Sequence, residues 1–240
     1  MKRRFCLHVA NQVPDERVRL GVAWALGGPF KQTPSAFEDA LSARLEALRN
    51  GLNPAEEARR RAVRDMLRRP GYKPTGRGKP ASEYLLRTAN PAADGRQQFP
   101  RISPAVDIGN LMSLNTLWPL SLWDLDRAQT AHVAVRLGQA AEAYVFNEAG
   151  QTINVHDLVV GCAVQGEQTR PIVNPVKDSQ ATKTQPGTER VAVLIYAPTH
   201  EATPAEVAEA AAATAAWLAQ TGADVETGHG VVEPEATCVI

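Results

Sequence analysis

Apolar residues Val18, Leu20, Val22, Trp24 and Leu26 occupy alternate positions of residues 17–26 and stop at Gly27-Gly28-Pro29, the pattern of a strand closed by a turn. Phe37, Leu41, Leu45 and Leu48 follow at helical spacing. Ser35, with Glu38 three residues on, is expected to form a capping box at that helix's start. A second helix is expected from Asn53-Pro54, with Glu56 and Glu57 in its first turn and Pro70 at its end. Residues 70–80, PGYKPTGRGKP, read as an ordered crossing loop. Residues 80–88 read as a short helix burying Leu85 and Leu86.

From Ser103-Pro104 onward, Val106, Ile108, Leu111, Met112 and Leu114 leave almost no polar face, which predicts a central buried helix over 103–117. Apolar runs at 132–137, 143–146, 158–164 and 191–197 read as strands. Thr203-Pro204-Ala205-Glu206 opens a last, Ala-rich helix with body 205–219, anchored by Val207, Trp217 and Leu218. From Gly222 the pattern fades, and an irregular tail over 222–240 is expected. These elements predict an α+β fold, a mixed sheet or barrel packed around the central helix with flanking helices. Its 240 residues suit a single domain, with a basic N-terminal lobe over 1–80 and a core over 81–221.

Charge changes the picture. Residues 1–101 hold 20 Lys and Arg against 10 Asp and Glu, and the remainder holds 6 against 16. Such polarity lets one region attract a polyanion while the net charge stays at zero. Residues 59–79 concentrate the excess: Arg60, Arg64 and Arg68 line one helical face, suited to a row of phosphates, and Tyr72 and Lys73 follow, Tyr72 placed to stack on an unpaired base. A solvated Arg-rich helix explains the same residues equally well.

Cys6, Cys162 and Cys238 are odd in number and lack close pairing, which suits reduced thiols and a cytoplasmic location. The basic start MKRRFC resembles a signal-peptide opening, but polar residues at 11–17 interrupt the apolar core it would need. No apolar run reaches membrane-spanning length, so no membrane partner is expected. The terminal Cys238 stands third from the end, where a prenylation box needs its Cys fourth. His residues at 8, 132, 156, 200 and 229 show no metal-ligand spacing, and neither a metal nor a cofactor is implied.

Two ordered blocks carry a resemblance. FPRISPAVDIGNLMSLNTLWPLSLWDLD at 99–126 and PIVNPVKDSQATKTQPGTERVAVLIYA at 171–197 are similar to the B3/B4 domain of the phenylalanyl-tRNA synthetase β subunit, which also exists in free-standing form. In the synthetase this domain hydrolyses tRNA carrying the wrong amino acid. The resemblance implies an α+β fold and a pocket built around both blocks. It also exposes departures: a Thr-Asn pair of bacterial synthetases stands here as Gly109-Asn110, Trp118-Pro119 replaces Gln-Pro, and the following His falls at Ser121. A Gly-Gly turn becomes Asp178-Ser179, preceded by Lys177, and a Glu on the last strand falls near Leu194.

With those groups replaced, the candidate chemistry moves to the polar loop 174–184. Lys177, Asp178 and Ser179 are the candidate catalytic residues, and Asn110, Ser121, Asn174, Lys183 and Thr184 the candidate substrate-binding residues. Ester hydrolysis needs an oriented water, donors for the developing oxyanion and a group that holds the substrate amine. Weaker candidates are His156-Asp157 as an acid/base pair, Asp124 with Asp126 as paired carboxylates or as the anchor of a turn, and Cys162 as a core residue. Asp107 is expected to bond to backbone or Arg101. The reading is a free-standing editing-like protein that binds tRNA or aminoacyl-tRNA and hydrolyses a mischarged ester. The alternatives are a non-catalytic RNA-binding module and a protein acting on a free amino acid or similar small molecule.

Overall fold

The computed structural model describes residues 5–240; the charged start at residues 1–4 lies outside the described residues. Strands β1 (His8–Asn11), β4 (His132–Leu137), β7 (Val159–Gln165), β8 (Gln168–Val173) and β11 (Thr237–Val239) form a five-stranded sheet in the order β11-β1-β4-β7-β8. In it β1 and β4 run parallel and the other neighbours antiparallel. Strands β2 (Val18–Leu26), β3 (Leu120–Asp124), β9 (Arg190–Pro198) and β10 (Glu226–Val232) form an antiparallel sheet in the order β10-β2-β9-β3. A hairpin of β5 (Ala143–Val145) and β6 (Thr152–Asn154) stands apart. The fold is α+β with mixed strands, and neither sheet closes into a barrel.

The two large sheets press together between β7 and β9. A methyl group at Gly161 would lie 2.6 Å from Val173 Cγ2 and 3.2 Å from Leu194 Cδ1, so only Gly lets the layers approach this closely. Helix α6 (Pro204–Ala219) covers β2 and β10 on the opposite face of the four-stranded sheet, and α4 (Pro104–Thr116) lies beside it over β3. Helices α1 (Phe37–Leu48) and α3 (Ala81–Ala93) pack onto α4 in turn, and the one-turn helix α5 (Leu125–Ala128) follows β3. The expected apolar helix is therefore central, but helices and one sheet surround it rather than a ring of strands. Its side chains Ile108, Leu111 and Leu114 are fully buried.

Local expectations met physical competition at several points. Ser35 does not cap α1: the helix starts after Ala36 with no side-chain cap, and Glu38 pairs with Arg101 instead. Asn53 caps α2 (Pro54–Leu67) in a reciprocal box with Glu56, and Thr203 does the same for α6 with Glu206. Helix α3 runs past residue 88 and buries Ser82, Glu83, Ala89 and Ala93, leaving Leu85 and Leu86 half-buried. Glu83 can be buried because Arg64 of α2 pairs with it.

The tail is regular. Strand β10 pairs with β2 along seven residues and β11 pairs with β1, correcting the expected irregular segment. Within the basic first third, β1 and β2 each belong to a main sheet.

Candidate functional site

Helix α4 ends at Leu117, whose left-handed backbone (φ 60°) turns the chain toward β3, and the Ser113 hydroxyl donates to Trp118 O at 2.7 Å to hold that turn. Strand β3 pairs antiparallel with β9, placing Ser121 opposite Leu194. Ser121 and Leu194 are both fully buried. The Ser121 hydroxyl lies 2.7 Å from Asp178 Oδ1, 3.2 Å from Asn174 O and 3.2 Å from the Tyr196 hydroxyl. A serine has one proton to give; the shortest contact assigns it to Asp178, and Tyr196 then donates to Ser121.

Asp178 is held from three sides. Besides Ser121, the backbone N–H of Asn174 donates to Oδ1 at 3.2 Å and that of Leu122 to Oδ2 at 3.3 Å. These bonds and the charge of Lys183 favour the carboxylate, yet burial outweighs them and pushes the Asp178 pKa up to about 7. The surrounding loop is rigid by its own turn chemistry. Asn174 Oδ1 accepts from Val176 N and Lys177 N, both at 2.8 Å, while its amide donates to the Tyr144 hydroxyl. Tyr144 in turn donates to Lys177 O at 2.7 Å.

Asp178 opens onto a cavity of about 310 Å³ with Asn110, Lys183 and Thr184 as its other polar walls and Ile102, Val106, Leu120 and Leu122 as apolar ones. A second cavity of about 340 Å³, lined by Tyr84, Thr88, Ser113 and Lys177, shares Asn110 and Leu120 with the first. Thr184 also borders two further hollows, one of about 650 Å³ with Asn147 and Glu148 and one of about 510 Å³ with Phe30 and Ile102. The 183–186 segment therefore sits amid a chain of adjoining hollows, and Asp178 lines the central one.

A sequence model of the B3/4 domain matches residues 93–216, from the end of α3 through most of α6. The chain belongs to the B3/4 domain family. This relates it to the B3/B4 domain of the phenylalanyl-tRNA synthetase β subunit, and the matched span contains α4, β3, the 174–184 loop and β9. No curated protein matches the chain.

Within this B3/4 domain the eight candidate pocket residues separate into groups. Asn110, Asp178, Lys183 and Thr184 share the central cavity. Lys177 lines the neighbouring one, its ammonium 4.0 Å from the centre of the Phe146 ring, and Lys183 Nζ donates to Phe146 O at 2.7 Å. Ser121, Asn174 and Ser179 line neither of these two cavities. Ser121 braces Asp178 from behind, Asn174 builds the loop, and Ser179 is buried and caps a short 3-10 turn over Gln180–Thr182 by accepting from Ala181 N at 3.2 Å. Tyr144 and Tyr196 complete the polar network. The sequence reading missed both, because each lies in a run taken as apolar strand.

The basic helix is less open than its sequence suggests. Arg60 donates to Glu57 at 2.8 Å, Arg64 makes a two-pronged pair with Glu83, and Arg68 lies 3.6 Å from Asp65. Glu83 is only 6 % exposed at its side chain, so Arg64 serves the fold before any phosphate. Tyr72 donates to Gly78 O at 2.7 Å, and its half-buried ring packs on the core. Lys73 is exposed. All three arginines thus have carboxylate partners within the fold, and Arg68 is the most exposed of them.

The weaker candidates resolve into structural roles. Asp124 accepts from Asp126 N, Arg127 N and the Thr188 hydroxyl, while Asp126 pairs with Arg190, so these carboxylates anchor a turn. His156 Nε2 is 3.9 Å from Asp157, whose other oxygen accepts from Gly71 N. Asp107 bonds to Arg101 and to Ile102 N, both at 2.8 Å. Cys162 is buried, which pushes its thiol pKa up to about 12 and leaves it protonated at neutral pH. Among the described residues no cluster of three metal-ligating side chains occurs, and no helix is long and apolar enough to cross a membrane.

Proposed function

We propose that this B3/4 domain binds the aminoacyl end of a tRNA in the central cavity and hydrolyses a mischarged ester there. The observation that carries the reading is Asp178: a carboxyl group poised near neutrality, fixed by three hydrogen bonds, at a cavity wall shared with amide, ammonium and hydroxyl donors. A group with that pKa is matched to taking a proton from water at physiological pH. Asn110, Lys183 and Thr184 supply donors for the oxyanion that forms as water adds to the ester carbonyl. Lys183 spends one of its three N–H donors on Phe146 O, which fixes its direction and leaves two for substrate.

In this account Ser121 positions Asp178, and Asn174 and Ser179 hold the loop that carries it. Lys177, beside the adjoining cavity, meets an anionic part of the nucleotide end. Family membership and the basic first third of the chain support tRNA as the carrier of the ester. Incubation of the protein with tRNAs mischarged with different amino acids, with deacylation and filter binding measured in parallel, tests the reading. Turnover above the spontaneous rate for at least one ester is expected. Stoichiometric binding without turnover would make the protein an RNA-binding module. Binding of free amino acids alone would make it a small-molecule protein.

A further inference from the structure

Gly109 sits in the interior of α4, where glycine costs helix stability relative to alanine. Two structural reasons for keeping a glycine are missing. Its φ is not in the left-handed region, and a methyl group built there meets Leu122 Cδ1 at 3.9 Å, an ordinary van der Waals contact. What such a methyl group would occupy is the central cavity, which Gly109 lines together with Val106 and Asn110 on one face of the helix. The apolar residues lining the cavity with it are Ile102, Val106, Leu120 and Leu122, and the charged ones are Asp178 and Lys183.

We infer that Gly109 is the size-selecting residue of the site, left bare so that a large apolar side chain of an aminoacyl ligand fits between Val106 and Leu122. The inference rests on the ligand reading above and names the class of amino acid it takes. An apolar pocket discriminates by about 10- to 200-fold for each methylene-sized change, so a single added methyl group at this wall has a measurable effect.

The test uses the full chain as wild type, Gly109→Ala and Gly109→Leu. Thermal unfolding is followed, with deacylation of tRNA charged with alanine, leucine or phenylalanine and binding of alaninamide and phenylalaninamide. Gly109→Ala is expected to melt about 2 to 4 °C higher, as removal of a helical glycine should in a chain this long. Its preference for phenylalanyl over alanyl ligands is expected to fall about 10-fold or more, and Gly109→Leu to exclude the phenylalanyl ligand. If wild type shows the same preference in amide binding but no turnover, the hydrolytic reading fails and the role of Gly109 stands. An unchanged preference in both variants, or no preference in wild type, overturns that role.

Discussion

The Ser121 hydroxyl lies 2.7 Å from Asp178 Oδ1, tying β3 to a loop 57 residues later. Through this contact the buried edge between the two sheets reaches the cavity wall, and the Tyr196 hydroxyl extends the chain of bonds onto β9. Removing it in Ser121→Ala takes away a bond that favours the carboxylate and leaves Tyr196 without its acceptor. The pKa of Asp178 is expected to rise further, since burial is then opposed by fewer donors, and stability to fall by about 1 to 3 kcal/mol. A carboxyl titration followed by NMR in wild type and variant checks this; a downward shift would contradict it.

Asp178 also makes stability depend on pH. Its native pKa of about 7 exceeds the value of about 3.9 expected in the unfolded chain. The native state binds the extra proton between those limits, so this group's contribution favours folding in acid and is lost as pH rises through 7. Asp178→Asn cannot ionise. From pH 5 to pH 8, wild type is expected to lose about 1 to 2 kcal/mol more stability than the variant, below the full shift because Asp178 keeps some exposure. Parallel losses in urea titrations would contradict the assignment.

How legible this was depended on what competed with local pattern. The strand at 132–137 and the helix opened by Asn53-Pro54 follow from periodicity and capping, and tertiary packing agrees with both. Strand β10 escaped because Gly228 and Gly230 weaken any strand signal; Gly228 is needed there because the Trp24 indole lies over it, 2.5 Å from where a Cβ would be. The 174–184 loop could be placed from the two family-like blocks. Which of its polar groups face the cavity could not, because Asn174 and Ser179 spend their side chains on turns that only the fold defines. The arginines at 60, 64 and 68 share a helical face as read, but Glu83 from another helix neutralises the middle one.

That neutralisation separates two arginines that look alike in sequence. Arg64→Ala leaves Glu83 buried with only Arg60 at 3.6 Å to compensate, and is expected to cost about 2 to 3 kcal/mol. Arg68→Ala, on an exposed pair with Asp65, is expected to change stability by less than about 0.5 kcal/mol. Chemical denaturation of both variants decides it, and equal effects would contradict the described pairing. RNA binding is accordingly best probed at Arg68 and Lys73, where loss of a phosphate contact would not be confused with loss of fold.

The central claim is that Asp178 takes the proton from the attacking water. The most direct test is single-turnover deacylation, at neutral pH, of the mischarged tRNA that wild type hydrolyses fastest, repeated with Asp178→Asn at saturating protein. A rate about 100-fold lower, with tRNA affinity within about twofold of wild type, is the predicted result. An Asp178→Asn protein that deacylates at the wild-type rate would contradict the claim and leave the chemistry to another group.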